Sequence, residues 1–236
     1  MKKVYRIFIT IMLIMSISVT SMNVLASGNS SKIDISGFDL VGLKENMEDD
    51  PLVQEVTLEG NTLRYSTTDG TVASISVQQN NGIETVSIIE NGKEDIITAN
   101  LNSNDVFMNG EPVKMTIEYA DEIPEIMPLT DWTFLGLSYP NVTHEEAIRS
   151  LVPSALIALV AYSTGNPDLT FEGARLIINR LIALGSSTRT LYVRRMTFRD
   201  STWTRTKYND NYFANGNYDD AGWLYVLEHE FYGGTR

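Results

Sequence analysis

Cysteine is absent from the 236 residues, which removes disulfides, thiolate metal sites and cysteine nucleophiles together. Histidine is scarce: His144 and His229 are the two in the chain, and "EHEFYGG" around His229 lacks the second histidine that a zinc-protease helix needs. No glycine-rich phosphate loop and no nucleophile elbow occurs. The acid pairs Asp219 with Asp220 and Glu228 with Glu230 are the remaining material for a glycosidase, which needs two carboxylates across one bond. Adjacent acids in a turn and alternating acids on the outer face of a strand are ordinarily just solvated, so a wall hydrolase is a minor reading. No catalytic residue, metal or cofactor is expected. The oxygen-rich "NDNYFANGNYDD" does not match the twelve-residue calcium loop, and calcium binding stays open.

The chain opens with Lys2, Lys3 and Arg6 ahead of an apolar stretch that ends in Val24-Leu25-Ala26. This is the pattern of a secretory signal cleaved after Ala26, with a retained signal anchor as the alternative. Residues 1–26 are therefore expected to be a signal peptide and the protein to be secreted and extracellular. An exported chain without cysteine suits a cell that does not rely on disulfides, and a Gram-positive bacterium is the expected source.

The net charge of −12 conceals a division. Residues 27–127 carry 19 acidic and 5 basic side chains, whereas residues 128–236 carry 11 and 10. Within the second part, Arg189, Arg194, Arg195, Arg199, Arg205 and Lys207 cluster with a single acid, Asp200. The front is acidic and the back locally basic. A nucleic-acid partner is not expected.

In the front part, "FDLVGLKENMEDDP" predicts a short amphipathic helix ended by Pro51. Turn pairs follow at Gly60-Asn61, Asp69-Gly70, Asn81-Gly82, Asn91-Gly92 and Asn109-Gly110, separated by runs of Val, Ile and Thr. Antiparallel hairpins in a meander are the reading. Ala73, Ile75 and Val77 oppose Val72, Ser74 and Ser76, so one thin face is buried and needs an apolar partner. Pro124 and Pro128 break regular structure and place a boundary near residue 128.

Behind it, Thr143-His144-Glu145-Glu146 has capping-box spacing and predicts a helix start, with Pro153 kinking that helix or restarting it. "LTFEGARLIINRLIALG" predicts a second helix stopped at Gly185. Its polar stripe is Glu172, Arg175 and Asn179, opposite Phe171, Ala174, Ile178 and Leu181. The tail predicts antiparallel strands: Trp223, Tyr225, Leu227, His229 and Phe231 share one face, and Tyr192, Met196 and Phe198 face away from Val193, Arg195 and Thr197. The expected fold class is α+β. It comprises an N-terminal antiparallel β-meander in an acidic domain over 27–127, with a propeptide or masking role open to it, and an effector domain over 128–236. In the latter a helical hairpin, 143–185, packs with a C-terminal antiparallel aromatic-rich sheet, 188–232.

From Leu151 to Tyr162, Pro153 and Ser154 alone interrupt apolar residues. Twelve helical residues reach about 18 Å, short of a bilayer core of about 30 Å. Three environments remain open: a protein core, the interfacial layer of a membrane, or a spanning oligomer.

The order of parts, with "NLNSNDVFMNGEPV" closing the acidic segment and "TLYVRRMTFRD" and "WLYVLEHEFYGG" in the tail, resembles the large secreted bacteriocins of the geobacillin type from Gram-positive bacteria. The resemblance covers most of the chain after the signal and consists of order and texture. It implies an antimicrobial protein acting without catalysis on the envelope of related cells, with a bacterial membrane or cell-wall polymer as partner and an immunity protein as a further one. Combined with the charge division, it makes Leu151, Leu156, Leu159, Val160, Arg194, Arg195, Arg199, Arg205 and Lys207 the expected envelope-contacting residues, masked by the acidic front until separation. For each arginine the plain alternative is a solvated sheet face paired with acids of the same fold. The other functional reading is a secreted binding or inhibitory module for a wall polymer or protein, with the helical hairpin as ordinary core.

Overall fold

The computed structural model describes residues 37–120, 131–164 and 169–233. The expected signal segment, the prolines Pro124 and Pro128 and part of the "STGNPD" turn lie outside the described residues. Helix α1, Leu40–Glu48, starts at Asp39, whose carboxylate accepts from the amides of Val41 and Gly42 at 3.0 and 3.1 Å. This satisfies donors that the helix itself leaves unpaired. It buries Leu40, Leu43 and Met47.

Seven strands follow: β1 Val53–Glu59, β2 Thr62–Thr67, β3 Val72–Asn80, β4 Ile83–Glu90, β5 Lys93–Asn100, β6 Asp105–Met108 and β7 Glu111–Tyr119. The tight turns sit at the expected pairs. Asn81 and Gly82 have φ of 52° and 78°, Asn91 and Gly92 51° and 79°, Asn109 and Gly110 54° and 82°. Two successive positive φ values match the twist of a two-residue hairpin, and asparagine and glycine accept them at least cost.

Strand β8, Trp132–His144, comes next, then a short 3₁₀ turn at Ile148–Ser150, helix α2 Pro153–Thr164 and helix α3 Phe171–Ala183. Strands β9 Thr190–Asp200, β10 Arg205–Phe213 and β11 Trp223–Tyr232 complete the chain. The described residues form an α+β fold, with eleven antiparallel strands in one sheet whose order is that of the sequence. Strand β7 pairs with β8, Val113 opposite His144 and Tyr119 opposite Ser138, so hydrogen bonding passes without a break between residues 111–119 and 132–144. The front meander and the tail strands are therefore halves of one sheet.

One face of that sheet can be traced by register: Leu63 opposite Ile75, Ile75 opposite Ile88, Val86 opposite Ile97, Ile97 opposite Met108, Val142 opposite Leu191, and Val193 opposite Tyr212. All of these residues are buried. Helices α2 and α3 lie on this face. Tyr65 of β2 meets Phe171 of α3 edge-on at 5.3 Å, while Gly173 of α3 faces the ring of Tyr225 on β11. Because one hairpin touches strands near both ends of the sheet, the sheet curves around it. Each large aliphatic side chain enclosed there contributes roughly 1.5–3 kcal/mol before entropy is counted.

Two sequence-based expectations need correction. No helix starts at Thr143. Thr143 and His144 end strand β8, and the Thr143 hydroxyl lies 2.9 Å from that of Thr190 on the neighbouring strand. The helix begins at Pro153, whose missing amide hydrogen costs nothing in a first turn. His144 is accordingly buried, with Nε2 3.1 Å from the Met108 carbonyl, and is not a solvated residue of a first helical turn. Similarly, all of "NDNYF" in the oxygen-rich tail segment belongs to strand β10, and the connection to β11 spans 214–222 alone.

Candidate functional site

The chemistry that sets this molecule apart from an ordinary strand-rich domain is the way the acidic front holds the apolar hairpin. On β4, alternation puts Glu84, Val86, Ile88 and Glu90 on the enclosed face, and on β5 it puts Asp95 there with Ile97 and Ala99. Each of the three acids is spent on a donor from the hairpin. The Glu90 carboxylate accepts from the Ser154 amide at 3.3 Å, the Ser154 hydroxyl at 2.5 Å and the Tyr65 hydroxyl at 3.1 Å. The Asp95 carboxylate accepts from the Val152 amide at 3.1 Å and from Asn109 at 2.8 Å, with the Lys93 ammonium 3.5 Å away. Glu84 accepts from the Phe38 amide at 2.7 Å and from the hydroxyl of Tyr162, near the far end of α2.

Helix α3 is held from the same side. Asp50 accepts from the Glu172 amide at 3.2 Å, supplementing the Thr170 hydroxyl, which takes the Gly173 amide at 3.0 Å. Asp69 forms an ion pair with Arg175. Bonds from the Thr67 hydroxyl first, with the Thr71 amide and Arg175 adding, hold the Asp69 carboxyl below the ordinary carboxylate range. Carboxylates of the first 95 residues thus meet orphan amides at the N-termini of both helices, where hydrogen bonding and the helix dipole both favour negative charge. The Tyr162 and Tyr65 phenols are pushed far up by burial, with their glutamate neighbours adding to the effect, so both remain hydrogen donors.

In this conformation the expected envelope-contacting residues fall into an enclosed apolar set and a basic set on the tail strands. Leu151, Leu156, Leu159 and Val160 are all buried inside the curved sheet; none is at the surface of this conformation. Of the three environments open to this segment, the structure places it in a protein core. Among the described residues no helix is long and apolar enough to cross a membrane.

The basic residues do not form one free patch. The Arg195 guanidinium is buried and doubly bonded to Asp210 at 2.7 and 2.6 Å, and its third contact is the Thr164 carbonyl at 2.9 Å, which ends α2. It also lies 4.0 Å over the Tyr208 ring. Arg205 sits 3.5 Å from both Asp200 and Glu230 and stacks on Trp132 at 5.1 Å. Lys207 lies over the same Trp132 ring at 4.9 Å, Arg194 over Phe213 at 5.2 Å. Arg199 donates to the carbonyls of Trp203 and Gly233 at 3.0 and 2.9 Å. The plain alternative for these side chains, a solvated sheet face paired with acids of the same fold, describes Arg205, whereas Arg195 is paired within the fold but buried.

Glu84, Glu90, Asp95 and Asp50 were missed by the sequence-based list. The signal was available for three of them: a carboxylate in phase with Val86 and Ile88, or with Ile97 and Ala99, is a charge on an apolar strand face. Such a charge requires donors from whatever covers that face.

Asp210 of the oxygen-rich tail segment is engaged by Arg195, and Asp219 accepts from the Gly222 amide at 3.1 Å and from Asn215 at 3.2 Å as part of the turn. Among the described residues no group of three or more histidine, aspartate or glutamate side chains is arranged to hold a metal ion. No family model matches the chain, and neither a curated protein nor a solved structure matches it.

Proposed function

We propose that this is an exported, non-catalytic antibacterial protein acting on the envelope of related Gram-positive bacteria, in which the acidic front sheathes an apolar helical hairpin. The observation that carries this reading is the set of carboxylates, Glu84, Glu90 and Asp95, that tie α2 to strands of the acidic segment. These ties are hydrogen bonds to polar groups at the ends of an otherwise apolar helix, so they can be exchanged for water without breaking a covalent bond. Once they are released, the hairpin presents Leu156, Leu159 and Val160 to a lipid interface, where apolar area and anionic headgroups attract an amphipathic element. The separate signal peptide, antibacterial action and any immunity partner belong to this proposal.

Dye release from anionic vesicles and growth inhibition of Gram-positive cells test it. The full chain is compared with the Glu84→Ala, Glu90→Ala double variant. Faster release by the variant supports sheathing; equal release by both rejects it, and neither release nor inhibition by either chain rejects the antibacterial reading.

A second reading is favoured by one specific observation. Trp203, at the β9–β10 turn, is 62% exposed with φ of 59°, and Tyr232 at the end of β11 is 85% exposed. A bulky residue held at positive φ is strained, and exposed aromatics at one end of a sheet suit recognition of a wall polymer. Retention of the protein on purified cell wall, lost in Trp203→Ala with no vesicle leakage, identifies that binding module instead.

A further inference from the structure

The tail strands have a second face, turned away from the hairpin. On β10, Thr206, Tyr208 and Asp210 point to the hairpin side, because Tyr208 and Asp210 meet the Arg195 guanidinium that bonds the end of α2. Arg205 and Lys207 alternate with them and point the other way. That side also carries Trp132 and Phe134 of β8 and Phe198 of β9, with Phe134 opposite Phe198 and Phe198 opposite Lys207.

Lys207 is only 7% exposed. Its Nζ leans across β9, 5.6 Å from the Phe198 centroid and 4.9 Å from that of Trp132 on the strand beyond. Among the described residues it makes neither an ion pair nor a hydrogen bond. The acids around it are engaged elsewhere. Glu230, opposite Lys207 across the β10–β11 pair, turns to Arg205 at 3.5 Å. Asp200 accepts from the Thr202 hydroxyl and from the amides of Thr204 and Arg205, with the Arg205 guanidinium 3.5 Å away. Glu228 accepts from Asn209 at 2.9 Å. Of the clustered tail cations, Arg194 alone shares this lack of an oxygen partner, and Arg194 is partly exposed.

A charge withdrawn from water needs a counter-charge, because aromatic rings return only part of the lost hydration. Here the rings are shared as well: the Arg205 guanidinium lies 5.1 Å from the same Trp132 centroid, so a second cation adds repulsion. The ammonium is nevertheless not sealed off, since the fully enclosed side-chain atoms without a partner belong to His144, Arg194, Arg199 and Tyr212. We infer that Lys207, floored by Trp132 and Phe198 and flanked by Arg205, is a binding site for an oxyanion, a phosphate or carboxylate group carried by a ligand from outside the chain. Lysine offers three unused donors and a point charge, and a floor of low polarity strengthens their hold on an anion. The site lies on the face opposite the sheathed hairpin, so it goes beyond the envelope-directed reading and operates without release of α2.

Titration of the full chain at constant ionic strength with inorganic phosphate, with acetate, and with chloride as the control tests the site. The reporter is the Cε–H resonance of Lys207, identified by its loss in Lys207→Met. A saturable shift with phosphate or acetate and none with chloride is expected, together with a rise in melting temperature larger than the general salt effect that Lys207→Met retains. Lys207→Met is expected to lose about tenfold or more in phosphate affinity while melting at or above the wild type, since an apolar side chain of similar length removes an unpaired buried charge. Glu230→Gln, which removes the acid opposite, is expected to bind phosphate more tightly. Glycerol phosphate in solution and vesicles containing phosphatidylglycerol separate the sources: saturation by the first assigns a soluble or polymer-borne phosphate, a shift with the vesicles alone assigns a lipid headgroup, and either supports the site. No shift with any of these probes, or an equal shift with chloride, overturns the inference. A sharp fall in melting temperature in Lys207→Met without any anion response of the wild type shows that the ammonium serves the sheet alone, and overturns it as well. Dye release and growth inhibition that persist without an anion response leave the antibacterial reading standing; an anion response without them leaves the site standing.

Discussion

In strand β4 the buried Glu84 and Glu90 face neutral donors supplied by the hairpin, whereas in strands β9 and β10 the buried Arg195 and Asp210 face each other. Both arrangements satisfy charge in an enclosed place, and they do different things with it. The first uses the sheet's charge to fasten a separate element, so its removal should loosen α2 and leave the strands paired. The second closes charge within two adjacent strands, apart from one bond to the Thr164 carbonyl at the end of α2. Its removal leaves an uncompensated ion inside the sheet. The same kind of side chain is a fastening in the front and a keystone at the back.

The largest effect should come from the back. Asp210→Ala leaves the Arg195 guanidinium buried without its partner and is expected to cost about 3–5 kcal/mol, read from urea unfolding; a cost below about 1 kcal/mol would show that water reaches the pair. Glu90→Ala removes the acceptor of the Ser154 amide and leaves the Ser154 and Tyr65 hydroxyls only each other as partners, and should cost about 1–3 kcal/mol. Hydrogen exchange should report that loss chiefly in α2 amides, with β9 and β10 amides little changed. Uniform acceleration across all strands would erase the distinction between the two halves.

Gly173→Ala probes the seam where the helix meets the last strand. A Cβ there lies 2.8 Å from ring atoms of Tyr225, and overpacking should cost about 1–3 kcal/mol in spite of alanine's better helix propensity; a rise in melting temperature would mean that the ring yields freely. A smaller effect is tied to acidity. Bonds from the Arg205 amide first, then the Thr202 hydroxyl and the Thr204 amide and hydroxyl, depress the Asp200 carboxyl below the ordinary range. A carboxyl depressed on folding stabilises above its unfolded value of roughly 3.9 and loses that contribution as pH falls through the folded value. Melting curves of wild type and Asp200→Asn should therefore differ at neutral pH and converge in strong acid; parallel curves at all pH would exclude this linkage. Least of all, Arg64→Ala removes an exposed ion pair with Glu59 and should change stability by less than about 0.5 kcal/mol, measured in the same urea titration.

The turns were legible because asparagine and glycine at positive φ are a local requirement, and the three Asn-Gly hairpins occur where the sequence places them. Helices α1 and α3 were legible from local signals too, the amphipathic run before Pro51 for α1, and the apolar period with Gly185, whose φ is 64°, for α3. Strand β8 was not. Its "GLSYPNVTH" carries a glycine and a proline, and its pairing with β7 and β9 comes from long-range register that no local pattern encodes. The capping-box spacing at Thr143 misled because threonine and glutamate three apart also occur at a strand end, and a cap is decided by where the hydroxyl points. The clasp was half legible: strand parity placed Glu84, Glu90 and Asp95 inward, but their acceptor role depends on Ser154, Tyr162 and Val152, which lie 57 to 78 residues away in sequence.

Among the described residues the sheet has no crossover: each strand's neighbour is the next in sequence, across a short turn for most and across the whole helical hairpin between β8 and β9. For a chain that emerges amino end first, assembly of the first seven strands can therefore proceed like a zip, with short loops to close, before the longer closure of β9 onto β8 across the hairpin. Eight of the eleven strands precede α2. By the time the greasy helices appear, the trough that receives them, with its carboxylates already in position, has been laid down, which shortens the interval in which those helices stand bare and liable to aggregate.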